Sequence, residues 1–93
     1  MYEIIILPSA EKEIEKLPNE IAFAIFDALE ELAINPRPAG CKQMNNYSTP
    51  RLKVRTYHRI KIKREYRVIY HIQDQYCIIT VVKAAHRSKA YKP

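Results

Sequence analysis

The chain has 93 residues, which is enough for one domain at most, because domains usually contain roughly 100–150 residues. Its 47% hydrophobic and 28% charged residues allow a small core and exclude a compositionally disordered chain. The net charge is +6, no apolar run approaches the roughly 18 residues that span a bilayer, and no signal peptide is recognisable. We therefore expect a single cytoplasmic domain, residues 1–93, that has no membrane contact.

The N-terminal third predicts a strand followed by two helices. Residues 2–7 are almost all apolar, which is typical of a strand inside a sheet. Pro8 should end this strand, and Ser9 should cap a short helix. The chain then breaks at Pro18, and Asn19 can cap a longer second helix. The apolar positions of that helix recur at helical spacing: Ile21, Ile25, Ala28, Leu29 and Leu32.

Three further apolar residues of the second helix, Phe23, Phe26 and Ile34, widen its apolar surface beyond one stripe. We expect them to add to the core. A surface that binds a partner is the competing interpretation.

The C-terminal half predicts an antiparallel sheet. Residues 35–50 form a connector, because Asn35-Pro36 ends the helix and Pro38 and Gly40 keep the chain irregular. From Arg59 onward the pattern alternates, which predicts strands over residues 59–63, 66–72 and 76–83, separated by turns at 63–65 and 73–75. The last strand is apolar on both faces and should be central. The predicted fold class is α+β: an N-terminal strand, a helical hairpin, then a mostly antiparallel sheet with the helices on one face.

Metal and cofactor sites are not indicated. The two cysteines, Cys41 and Cys77, have no metal-type spacing and do not resemble a disulfide framework, so we expect reduced thiols. The only glycine is Gly40, which excludes a phosphate loop and a dinucleotide fingerprint.

The charge is strongly segregated along the chain. Residues 1–34 carry eight acidic and two basic side chains, a net charge of −6, whereas residues 35–93 carry fourteen Lys or Arg and two acidic side chains, a net charge of +12. Such a basic segment attracts polyanions and favours nucleic acid as a partner. The alternative is an ordinary solvated surface.

In an antiparallel meander, basic residues of the late strands and the tail would share one face. These are Arg59, Lys61, Arg67, His86 and Arg87, with Tyr91 beside them. Arginine donates in a planar fork that fits phosphate oxygens, and a tyrosine ring can stack on an unpaired base.

RNA carries its own nucleophile, the 2′-hydroxyl, so such a face could cleave RNA with only a base, an acid and stabilisation of phosphate charge. A lysine can act as the base when neighbouring cations lower its pKa. His86 is the one ordinary acid or base there, and we expect no carboxylate in the site. Phosphate-positioning cations without catalysis remain the alternative. His58 and His71 are expected to be strand residues without a role.

These features together resemble the RelE/ParE superfamily of small toxins from bacterial and archaeal toxin–antitoxin pairs. The resemblance covers nearly the whole chain. It rests on the strand and helical hairpin, the Asn35-Pro36 helix end, RIKI at 59–62 before YRVIY at 66–70, and AHRSKAY at 85–91. It implies a RelE-like, microbial-RNase-like fold. In the RelE branch it also implies a metal-independent, ribosome-dependent mRNA endonuclease that needs no small-molecule cofactor and is held inactive by a cognate antitoxin.

The resemblance also implies roles for individual residues. Arg59 stands where the branch has a lysine that holds RNA phosphate, and Lys61 matches the proposed general base. Arg67 matches the arginine that stabilises the scissile phosphate. Arg87 matches the tail arginine that assists the transition state and the leaving group, and Tyr91 the aromatic residue that orients the nucleotide. Further RNA contacts are expected from Lys63, Arg64 and His86.

Two alternatives remain open from the sequence. The segment 51–55 repeats the alternating basic pattern, so Arg51 and Lys53 could replace Arg59 and Lys61 in the site. A ParE-like inhibitor of DNA gyrase that cuts nothing is the alternative function, and a degenerate RNA-binding module is a third. The complete set of basic residues favours the RelE branch.

Overall fold

The computed structural model describes residues 1–92 and shows an α+β fold, which confirms the predicted fold class. Its elements, in chain order, are β1 (Glu3–Ile6), α1 (Pro8–Glu15), α2 (Asn19–Ile34), β2 (Lys42–Met44), β3 (Tyr57–Ile62), β4 (Tyr66–Gln73), a 3-10 turn (Asp74–Tyr76), β5 (Ile78–His86) and α3 (Arg87–Ala90). The strands form one sheet in the order β1-β5-β4-β3-β2. The β1–β5 pair is parallel and the other pairs are antiparallel.

The main core lies between the helices α1 and α2 and one face of the sheet. The α2 residues Ile21, Ile25, Leu29 and Leu32 are buried there as predicted, whereas Ala28 is only partly buried. The sheet contributes Ile60, Ile62, Val68, Tyr70, Ile72, Ile79, Val81 and Ala84. None of the helices within residues 1–92 is long and apolar enough to cross a membrane.

A smaller core covers the opposite face of the sheet and fixes the C-terminus. Tyr57, Ile69 and Val82 of the sheet pack there with Tyr47 and with Ala90 of α3, which is completely buried. The sequence predicted only a basic tail at this point. Because Ala90 anchors α3, the residues on both sides of it are held against the sheet.

The strand β1 lies at an edge of the sheet, so its predicted interior position is wrong. Within residues 1–92 it pairs only with β5, and Ile5 is exposed on its outer side. Its apolar composition has another cause, since Ile4 and Ile6 pack against the main core. β5, in contrast, lies between β1 and β4, which agrees with its predicted interior position.

Both N-terminal helices begin near the predicted residues but not with the predicted caps. Pro8 is the first residue of α1, and Leu7 precedes it without a side-chain cap, so Ser9 is not the cap. A proline suits this position because it has no amide hydrogen to satisfy and its φ angle is already helical. Likewise, Pro18 precedes α2 as its N-cap, and no described side chain caps the start of that helix.

The residues Phe23, Phe26 and Ile34 are not part of the core, so the first interpretation of them is wrong. They are 68%, 45% and 74% exposed, respectively. The competing interpretation, a surface that binds a partner, stays a prediction.

Glu13 of α1 connects three parts of the fold. Its carboxylate accepts two hydrogen bonds from Arg51, each 3.1 Å long, and one of 3.2 Å from the backbone amide of Ala84. The Arg51 guanidinium also donates to the Val82 carbonyl at 2.9 Å. The buried Lys83 ammonium lies 3.9 Å from Glu13, and burial lowers the pKa of Lys83. Glu13 thereby ties α1 and the loop around Arg51 to the irregular part of β5.

Replacing Glu13 by alanine is expected to lower the free energy of unfolding by about 2–3 kcal/mol, because Lys83 and Arg51 lose their shared counter-charge in a largely buried place. Chemical denaturation of the purified protein measures the effect. Glu15→Ala is the matched control, since Glu15 is exposed on the same helix and should change stability by less than about 0.5 kcal/mol. Equal stabilities of the two variants would contradict the assigned role of Glu13.

Candidate active site

A cationic cleft of about 530 Å³ opens where the β3–β4 hairpin meets the end of β5. Five of the residues that line it are basic and one is acidic, an excess of four positive charges. They are Lys61, Lys63, Arg64, Glu65, Arg67 and Arg87. Five of the eight residues that the sequence assigned to catalysis or RNA binding thus lie in one cleft.

Strand register brings the central cations together. Lys61 is opposite Arg67 across the β3–β4 pair, and Arg67 is opposite Ala85 across the β4–β5 pair. Directly opposed residues share a face of the sheet, so the Lys61 and Arg67 side chains lie side by side. Arg87 follows two residues after Ala85, and its backbone amide donates to the Glu65 carbonyl at 2.7 Å. The hairpin therefore holds the first residue of α3 beside the two strand cations.

Arg67 is a buried charge at the base of the cleft. Its side chain is held by the carbonyls of Arg64 and Tyr66, to which Nη1 donates at 2.8 and 3.0 Å. The residue is only 8% exposed, and its buried Nε has no hydrogen-bond partner among residues 1–92. Within that range no carboxylate lies within ion-pair distance of the guanidinium. A fixed, uncompensated guanidinium of this kind is suited to an anion.

The turn between β3 and β4 is strained. Lys63 and Arg64 have φ angles of +50° and +67°, in the left-handed region that favours glycine. Each such residue costs about 1–2 kcal/mol. The sequence predicted the turn but not its left-handed conformation. This conformation allows the three residues 63–65 to link Ile62 to its sheet partner Tyr66. Strain of this kind concentrates at functional sites.

A carboxylate lines the cleft, so the expectation of a site without one is wrong. Glu65 Oε2 lies 3.3 Å from Arg87 Nε and 3.4 Å from His86 Nε2. Nothing in the local sequence pattern indicated this contact, because it depends on the turn and on the pairing of Tyr66 with His86.

His86 lies at the edge of the cleft and not in its lining. Its Nδ1 accepts a hydrogen bond of 3.1 Å from the Ser88 amide and thereby caps α3. The imidazole meets the Tyr66 ring edge-on at 5.5 Å and lines a neighbouring depression with Lys83 and Lys89. Its link to the cleft runs through Glu65.

Arg59 and Tyr91 lie outside the lining of the cleft. Arg59 is two residues before Lys61 in β3 and therefore on the same face, and its buried Nη1 has no partner among the described residues. Tyr91 follows α3 and lines a separate depression of about 460 Å³ with Met44 and Tyr47. The side-chain amides of Gln43, Asn45 and Asn46 also line that depression.

The structure distinguishes the two possible registers. Arg51 is bound to Glu13, and Lys53 lines a different depression that includes Tyr57. Lys61, and not Lys53, therefore lies beside Arg67.

The other titratable strand residues do not reach the cleft. His58 is buried and stacks on Tyr70, and burial lowers the pKa of His58. His71 Nδ1 lies 2.8 Å from the Thr56 carbonyl. Cys41 and Cys77 are not paired with each other. In the part of the chain that is described, no three His, Cys, Asp or Glu side chains are grouped as metal ligands would be.

Comparison with protein families gives a match over almost the whole chain. The family model described as "ParE toxin of type II toxin-antitoxin system, parDE" matches residues 4–91. A search of curated protein sequences gives no significant match.

Solved structures of toxin–antitoxin complexes are similar to this chain. The archaeal RelE-RelB complex from Pyrococcus horikoshii OT3 contains a chain with a TM-score of 0.73 and 22% identity, covering 96% of this chain and 98% of that one. The intact E. coli RelBE complex gives 0.73 and 21%, covering 92% and 96%. The RelBE2 complex from Mycobacterium tuberculosis gives 0.70 and 21%, covering 92% and 98%. At these identities the likeness establishes the fold alone.

Replacing Arg64 by glycine is expected to increase the free energy of unfolding by up to about 1 kcal/mol, because glycine adopts a φ of +67° without steric cost. The greater conformational freedom of glycine in the unfolded chain offsets part of this gain. Chemical denaturation measures the change. Arg64→Ala is the control, since it removes the same charge and keeps the strain. A glycine variant no more stable than the alanine variant would contradict the strain assigned to this turn.

Proposed function

The chain belongs to the ParE toxin family of type II toxin–antitoxin systems, within the RelE/ParE superfamily, and we propose that this toxin is a ribosome-dependent endoribonuclease that cleaves mRNA and blocks translation. The observation that carries the proposal is the convergence of Lys61, Arg67 and Arg87 in one cleft. This arrangement fits one phosphate group together with the hydroxyl that attacks it.

In the proposed reaction Lys61 takes the proton from a 2′-hydroxyl, whose oxygen then attacks the adjacent phosphorus. The bond from phosphorus to the 5′-oxygen breaks, and this oxygen takes a proton from solvent water at the rim beside Arg87. Lys61 then returns the proton it took to solvent. The products are a 2′,3′-cyclic phosphate and a 5′-hydroxyl. RNA supplies the nucleophile, so the protein provides the base and the stabilisation of charge.

Arg67 and Arg87 stabilise the pentacoordinate phosphate. The Arg67 guanidinium is buried, is already fixed by two carbonyls and has no carboxylate within ion-pair distance among residues 1–92. Its field at the phosphate is therefore weakly screened and needs no reorganisation during the reaction. Arg87 adds a second guanidinium at the rim, where charge develops on the leaving oxygen.

The residues around the cleft extend the contact along RNA. In this proposal Lys63 and Arg64 on the turn and Arg59 on β3 bind flanking phosphates, which makes binding sensitive to salt. Tyr91, in its separate depression, offers its ring to an unpaired base, and His86 contributes at the cleft edge.

The proposed partners are the ribosome, its bound mRNA and a cognate antitoxin, all in the cytoplasm. The similar solved structures are toxin–antitoxin complexes, which supports an antitoxin for this chain. An acidic antitoxin segment would neutralise the excess positive charge of the cleft. Inhibition of DNA gyrase requires no such convergence of cations, so the cleft favours cleavage over that alternative.

Replacing Arg87 by alanine is expected to lower the rate of mRNA cleavage by about 10²–10³, by analogy with the loss of one oxyanion donor, and Lys61→Ala should also abolish most activity. The measurement maps new 5′ ends on mRNA after purified protein is added to translating ribosomes.

Lys53→Ala is the matched control for Lys61→Ala, because Lys53 belongs to the same basic region but lies outside the cleft. An Arg87→Ala variant that cuts at the unmodified rate would contradict the assigned role. Intact mRNA together with inhibited DNA supercoiling would replace the proposal with gyrase inhibition.

A further inference from the structure

We propose that Glu65 is a positioning residue, whose carboxylate orients the Arg87 guanidinium and the His86 imidazole at the rim of the cleft. The inference rests on the proposed cleavage of RNA and adds a residue to it. The contacts that carry it are the distances of 3.3 and 3.4 Å from Glu65 Oε2 to Arg87 Nε and His86 Nε2.

The contact with Arg87 leaves the phosphate-binding edge of the guanidinium unused. Glu65 contacts Nε, and neither Nη nitrogen of Arg87 makes a hydrogen bond within residues 1–92. A guanidinium can donate from these two nitrogens to two phosphate oxygens at once. The carboxylate therefore restrains Arg87 from one side and leaves its other side open to a substrate.

Arg87 needs such a restraint more than Arg67 does. Its side chain is 59% exposed, whereas Arg67 is held by two carbonyls in a buried place. A free arginine side chain has a large rotamer entropy, which a restraint reduces before the substrate binds. An exposed ion pair contributes little to stability, so the main effect of the Glu65 contact is orientation.

The backbone fixes the position of Glu65 relative to Arg87. The Glu65 carbonyl accepts from the Arg87 amide at 2.7 Å, and Tyr66 pairs with His86 in the sheet. The left-handed conformation of Lys63 and Arg64 reverses the chain direction and brings Glu65 beside Arg87. The strain of the turn thus serves to place a carboxylate beside the first residue of α3.

A carboxylate in a phosphate-binding cleft weakens binding of the substrate. Its effects on kcat and KM therefore distinguish an orienting role from other roles. It repels the substrate phosphate, so its removal should leave KM unchanged or lower it. If Glu65 orients Arg87, its removal should lower kcat. If Glu65 only masked Arg87, its removal would raise activity, and a purely structural role would change stability and not the balance between kcat and KM.

The test compares Glu65→Ala with Glu65→Gln in the ribosome-dependent cleavage assay. We expect the alanine variant to lose about tenfold in kcat without an increase in KM, a loss within the range caused by misplaced catalytic groups. The glutamine variant should retain activity within about threefold of the original, because it keeps the length of the side chain and an oxygen that can accept from Arg87 Nε. Glu20→Ala is the matched control, since Glu20 pairs with Lys63 at 3.7 Å and does not contact Arg87.

A second readout does not depend on cleavage. The Nε–Hε resonance of Arg87, assigned by its loss in Arg87→Lys, should be sharp in ¹⁵N spectra of the original protein and of Glu65→Gln. It should broaden or move to the random-coil position in Glu65→Ala. An unchanged resonance in the alanine variant would overturn the inference even if the original protein cleaves mRNA.

The two readouts also separate the inference from the proposed function. An original protein that leaves mRNA intact refutes the nuclease, while the Arg87 resonance still decides whether Glu65 orients that guanidinium. A variant Glu65→Ala that cuts at the original rate, or faster, overturns the positioning role and leaves the nuclease standing.

Discussion

The position of β4 between β3 and β5 is the constraint on which the candidate site depends. Arg67 of β4 lies opposite Lys61 of β3 on one side and opposite Ala85 of β5, two residues before Arg87, on the other. Backbone hydrogen bonds of the sheet therefore fix how far apart Lys61, Arg67 and Arg87 lie. A shift of one residue in the β3–β4 pairing would place Lys61 and Arg67 on opposite faces of the sheet, one of which is covered by α1 and α2. The register is protected because the alternating residues Ile60, Val68 and Ala84 are buried on that face.

Bringing like charges together opposes folding, and the rest of the molecule offsets this repulsion away from the cleft. The smaller core around Tyr57 and Ala90 holds α3 on the sheet by apolar contact. The Glu13 carboxylate binds Arg51 and lies near the buried Lys83, which secures the end of β5 from the helical side. Stability is therefore supplied largely by groups outside the cleft, and within residues 1–92 Lys61 and Arg67 form no ion pair that would compete with a ligand.

The parts of the site that follow from strand periodicity could be predicted from the sequence. The alternation around Lys61 and the position of Arg67 after Tyr66 place both residues on one face before any coordinates are known. Glu65 could not be found in this way, because its contacts depend on a left-handed turn and on a strand that extends to His86. The edge position of β1 and the exposure of Phe23 were missed for a related reason. An apolar residue type does not show whether another element of the fold packs against it.

Binding of a single-stranded RNA fragment that cannot be cleaved tests the central claim most directly. A trinucleotide with 2′-O-methyl groups, titrated into ¹⁵N-labelled protein, lacks the nucleophile and keeps the phosphates. The account predicts that the largest shifts occur at Lys61, Arg67 and Arg87 and that they weaken as salt is increased. Shifts confined to the helical face around Phe23 and Phe26, with none in the cleft, would contradict it.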